Sequence, residues 1–193
     1  MLHSNFVIIG AFISITGNVA YIVETLKGNI KPNKVTFLLW SIVPFIAFFA
    51  QIKQGVGIQA LFTFVSGFMP LLLFLASFVN KNAEWRITRF DLTYGFLALV
   101  GIVLWIITKV GNLAILFSIL ADALAVVPTV VKAYKFPNTE LAWPWLTSGT
   151  GAVLTLLTIE RWTFANSSFA LYIVFICILM FVLVQFKIGQ SEN

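Results

Sequence analysis

The sequence predicts an all-α membrane protein: seven transmembrane helices, arranged as two parallel three-helix repeats joined by a linker helix. Three observations predict it. Hydrophobic residues make up 60% of the 193 and charged residues only 10%, whereas a soluble domain carries about a quarter charged residues. The apolar residues fall in continuous runs of helix length, not in alternation, which argues against a β-barrel. The chain also writes one stretch twice: GNVAYIVETLKGNIKPNKVTFLLW (Gly17–Trp40) returns 105 residues later as DALAVVPTVVKAYKFPNTELAWPW (Asp122–Trp145).

At that offset Lys27 falls on Lys132, Pro32-Asn33 on Pro137-Asn138, and Trp40 on Trp145. Each copy has an apolar helix ending in lysine, a short Pro-Asn connection, and a second apolar helix opening toward tryptophan. A period of this kind has to be recognised first, because it fixes the architecture.

Spans are expected at 6–26, 35–52, 57–79, 91–108, 112–133, 143–159 and 168–187. Runs of about 17–25 apolar residues cross a hydrocarbon core of ~30 Å. The first span should be retained, since MLHSN carries no Lys or Arg ahead of it, unlike a secretory leader. The second and third contain Pro44 and Pro70, and the fifth Pro128. Each proline removes a backbone hydrogen bond, which membrane bundles tolerate. The connections are too short for a further domain, so 1–193 is expected to be one membrane domain. It divides into repeat one (6–79), the linker helix (91–108) and repeat two (112–187). The single crossing between the repeats is what lets both keep the same orientation.

Basic residues set the expected topology. Lys27, Lys31, Lys34, Lys81, Arg86, Arg89, Lys132, Lys135 and Lys187 fall on one side of a seven-span layout, and Lys53, Lys109 and Arg161 on the other. The positive-inside rule then puts the N-terminus outside and the C-terminus in the cytoplasm. The net charge of +5 is explained by these loop residues, so nucleic acid is not an expected partner. The expected location is a bacterial inner (cytoplasmic) membrane, with the lipid bilayer as partner. Self-association into a homo-oligomer stays open.

Asp122 is the sharpest candidate for chemistry. It lies about ten residues into the fifth span, where a carboxylate costs on the order of 2.5–3.5 kcal/mol. It should therefore face the interior, as a solute or proton site or as a structural hydrogen-bond partner of Asn18 or Tyr21. Ser14, Asn18, Tyr21 and Thr25 share one face of the first helix, and Ser118, Asp122, Ala125 and Thr129 repeat those steps in the fifth. Two such stripes would line a central path or, as polar glue, hold helices together. Trp40 and Trp145 open their spans either as interfacial anchors, as Trp143, Trp85 and Trp162 should be, or as flat walls for a solute. Glu24 is placed to pair with Lys27 at i,i+3. Gln51 and Gln59 are candidates for the outer mouth. Cys177 reads as a small buried hydrophobe. His3 stands alone, so neither a metal site nor a cofactor is expected. The chain has no His-Glu-x-x-His, Gly-x-Ser-x-Gly, P-loop or Gly-x-Gly-x-x-Gly, so it is not expected to be an enzyme.

The repeat, with Gly17-x-x-x-Tyr21 and Trp40 in its first copy and Asp122 and Val126-x-Pro128-Thr129 in its second, resembles the PQ-loop superfamily. Those proteins have a 3+1+3 layout and include the SWEET sugar transporters; the closer likeness is to a bacterial branch. The aromatic position of the motif is kept once, at Tyr21, and the proline once, at Pro128; its glutamine is replaced by Glu24 and Thr129. The resemblance implies a transporter that moves a small polar solute by alternating access between the repeats, with Pro128 as a hinge. Its alternative is a membrane receptor or sorting protein on the same fold.

Overall fold

The computed structural model describes residues 2–30, 32, 34–80 and 89–189. Among them it is built from seven α-helices: α1 (Phe6–Leu26), α2 (Lys34–Lys53), α3 (Ala60–Ala76), α4 (Arg89–Thr108), α5 (Gly111–Lys135), α6 (Ala142–Leu157) and α7 (Phe164–Gln185), with one 3₁₀ turn at Pro137–Thr139. Lys31, Asn33, Lys81, Trp85 and Arg86, all singled out in the sequence, lie outside the described residues.

Among the described residues, four of the helices (α1, α2, α5 and α7) are long and apolar enough to cross a membrane. Helices α3 and α6, expected at 57–79 and 143–159, have 17 and 16 residues. A polar tie joins the start of α3 to the end of α6. Thr158 caps α6 at its C-terminus. The Gln59 side chain, just ahead of α3, donates to the Thr158 carbonyl oxygen at 3.3 Å. Pro44, Pro70 and Pro128 are carried inside continuous helices.

The surface is inverted relative to a water-soluble protein. Phe12, Phe96, Ile107 and Phe175 are well over half exposed, while Ser14, Gln51, Thr63, Ser118, Asp122 and Thr155 are buried. An apolar exterior so extensive matches lipid chains and not water. Many interior hydroxyls bond back to their own helix. Ser41 donates to the Leu38 oxygen at 2.6 Å, Ser66 to Phe62 at 2.9 Å and Thr155 to Gly151 at 2.9 Å. That satisfies them where no water can.

Helix α3 packs on both α1 and α2, and α7 on both α5 and α6. The two groups meet where α1 lies on α6 and α2 on α5, and α4 lies against α5 and the edge of α2. Helices α1 and α6 run antiparallel, with Gly10 against Gly151, Ser14 against Ser148 and Gly17 against Thr147. Glycine is required at the first of these contacts: a Cβ on Gly151 would sit 2.5 Å from the Gly10 carbonyl oxygen.

Candidate functional site

A cavity of about 790 Å³ lies between the helices, lined among the described residues by α1, α2, α3, α5, α6 and α7 and by both Pro-Asn connections. Its size falls within the range of small-molecule sites, ~300–1,000 Å³. At one end it reaches the exposed Asn29 and Asn138; at the other it stops near Ser14, Pro44 and Ser148. Beyond that the Gly10–Gly151 contact closes α1 onto α6, with Phe62 packed beside it.

The α1 wall is the polar stripe expected from spacing. Ser14, Asn18, Tyr21 and, one step on, Glu24 line the cavity. Asn18 Nδ2 donates to the Ser14 carbonyl oxygen at 2.9 Å and to Ser148 Oγ at 3.3 Å, and the Ser14 and Ser148 hydroxyls lie 3.3 Å apart. On the α5 wall stand Asp122, Pro128, Thr129 and Lys132. Asp122 is 9% exposed. Its Oδ2 accepts from the Tyr172 hydroxyl on α7 at 2.6 Å.

Trp40 and Trp145 also line the cavity, in contact with each other: their rings meet edge to face with centroids 6.3 Å apart. The aromatic wall continues from Trp40 to Phe37 (5.5 Å) and on to Tyr21 (5.7 Å). Wall, not lipid anchor, is therefore the position of this pair, whereas Trp143 and Trp162 are exposed at 56% and 60%. Two charged clusters flank the open end. Glu24 accepts from Lys27 at 3.0 Å, the pair expected from spacing, and from Asn29 at 2.6 Å. Lys132 Nζ lies 2.9 Å from Glu140 Oε1, and the Glu140 side chain is only 5% exposed.

Several expectations need correction. Ser118 does not line the cavity. It is buried one turn beyond Asp122, toward the closed end, and its hydroxyl has no partner among the described residues. Thr25, on the α1 stripe, is likewise fully buried with its hydroxyl unpartnered there. Gln51 and Gln59 form no mouth; they tie helix ends together, Gln51 by donating to the Ala165 oxygen at 2.9 Å. The partner of Asp122 is Tyr172, not Asn18 or Tyr21.

Sequence reasoning missed Tyr172, Ser148 and Glu140. At the repeat offset Ser148 and Glu140 correspond to Val43 and Val35, so the repetition gave no hint of them. Cys177, buried and free, also lies on the cavity wall. Among the described residues no three His, Cys, Asp or Glu side chains converge as metal ligands would. Comparison with known proteins returns no matching family model, no matching curated protein and no matching solved structure.

Proposed function

We propose that this chain is a multi-pass membrane transporter of PQ-loop, SWEET-like architecture. It carries a small polar solute by alternating access between two three-helix repeats. The carrying observation is the cavity: polar on its α1 and α5 walls, reaching solvent-exposed connections at one end and closed by helix backbone at the other. A path blocked on one side only is what alternating access requires of a single resting state.

The helix neighbours support the 3+1+3 reading. Exchange of α1, α2 and α3 for α5, α6 and α7 turns the α1–α3 contact into α5–α7, α2–α3 into α6–α7, and α1–α6 into α5–α2. A pseudo-two-fold relation between like-oriented units has this property. By the charge count the open end, with Lys27, Lys132 and Lys135, faces the cytoplasm.

Two experiments on the Cys177→Ala background, a substitution that leaves the labelled positions as the only thiols, test this. Cysteines placed at Asn29 and Asn138 should react with a membrane-impermeant reagent from the cytoplasmic side alone. A transported solute should slow that reaction as the cavity closes. Labelling from both sides would point to a pore; labelling indifferent to every solute, with no flux into proteoliposomes, would remove the transport reading.

A further inference from the structure

The charges on the cavity wall are unbalanced at depth. Among the described lining residues, Asp122, Glu24 and Glu140 carry carboxylates and Lys132 alone carries a cation. The two glutamates are at the open end, and each has a lysine: Lys27 for Glu24, Lys132 for Glu140. Asp122 has none. Its one hydrogen bond among the described residues comes from a neutral phenol onto Oδ2, leaving Oδ1 without a donor. The side chain is nine-tenths buried, yet it lines the cavity. A carboxylate held at mid-helix without a counter-ion is costly in a membrane.

The rest of the deep wall suits a cation. Trp40, Trp145, Phe37 and Tyr21 present an aromatic corner in the same cavity. Aromatic faces attract ammonium groups, by about 2 kcal/mol or more when water is excluded, with tryptophan the best of them. Neutral hydroxyl-rich solutes would gain stacking from that corner but nothing from the missing counter-ion. An anion would be repelled by Asp122.

We infer that the solute is an organic cation, its ammonium group serving as the counter-ion of Asp122 and lying against the Trp40–Trp145 corner. This rests on the transport reading and narrows it to a substrate class. Lys132 and Glu140, mutually paired at the entrance, leave the passage of a monovalent cation unopposed.

The test uses the full chain in vesicles of phosphatidylethanolamine and phosphatidylglycerol. Choline is compared with 3,3-dimethylbutan-1-ol, its neutral isostere, and tetraethylammonium is added as a second cation. A quaternary ammonium has no proton to lose, so its charge is independent of pH. Binding is followed by tryptophan fluorescence and movement by current across a solid-supported membrane. At least one cation should bind tenfold or more tighter than the isostere and produce inward current. Asp122→Asn should reduce the preference to less than about twofold, Asp122→Glu should restore part of it, and Trp145→Leu should weaken the cation more than the isostere. Melting curves establish that each variant is folded.

A cation preference below tenfold, or one that survives Asp122→Asn, overturns the inference. Flux of neutral polyols in the same vesicles separates the two levels. Polyol flux without cation preference removes the substrate class and leaves transport standing, whereas no flux of either kind removes both.

Discussion

Replacing Gly151 by alanine should separate α1 from α6. The added methyl would lie 2.5 Å from the Gly10 carbonyl oxygen and 3.1 Å from Phe62 Cε2. Ordinary contact begins near 3.4 Å, so the two backbones must part by roughly 0.9 Å. The Gly10 oxygen is backbone and the Phe62 ring is fully buried, so neither can swing aside, and overpacking of this kind costs about 1–3 kcal/mol. Alanine also favours helix over glycine by about 1 kcal/mol, which would mask part of the loss. Gly95→Ala on α4 supplies the control, because a Cβ there would lie 3.9 Å from Leu39 Cδ2, its nearest neighbour among the described residues. The difference between the two variants isolates the clash. At about 2–4 °C per kcal/mol for a chain of this size, Gly151→Ala should melt on the order of 2–12 °C below Gly95→Ala in detergent. The parting should also stretch the Ser14–Ser148 contact, now 3.3 Å, and raise reagent access from the closed side. Equal melting temperatures and unchanged access would refute the claim that this contact closes the cavity.

Tyr172→Phe leaves the buried Asp122 carboxylate without its 2.6 Å hydrogen bond; it should cost about 1–3 kcal/mol by melting, and much less in an Asp122→Leu background. Lys132→Ala strands Glu140, whose side chain is 5% exposed, but the lysine is itself 41% exposed, so the loss should be about 1 kcal/mol, recovered by Lys132→Arg. A double-mutant cycle on Trp40→Leu and Trp145→Leu should return a coupling of about 0.5–1.5 kcal/mol for their edge-to-face contact; zero coupling would remove the pair as a joined wall. Pro128→Ala should slow exchange between open and closed forms, read by reagent access at the cytoplasmic end of α5, while expression holds; unchanged access and flux would reduce the proline to a shaping role.

The helices were legible in the sequence because continuous apolar runs bounded by Lys, Pro-Asn and Gly leave few choices. The first span, expected at 6–26, is α1 from Phe6 to Leu26. Contacts between helix ends were not legible, as at the end of α6, where Gln59 reaches across to the Thr158 oxygen. Asp122 stood out because membranes make a mid-helix carboxylate costly. Its partner did not, since α7 is apolar all round and Tyr172 sits among Phe169, Ile173 and Phe175 with no periodic cue to its facing. Stripe arithmetic found the right face of α5 but not the depth at which the cavity ends, which is why Ser118 was misplaced.

The Gly10–Gly151 contact separates two tasks that many pores give to the same side chains. On the proposed transport reading, the barrier to leakage would be made by main-chain atoms of two helices, while the choice of what enters would depend on side chains one or more turns away. Substitution at Asn18, Asp122 or Trp145 would on that reading change the cargo without making the membrane leaky. A chain organised this way can diversify its selectivity at little risk to the ion gradients of the cell that carries it.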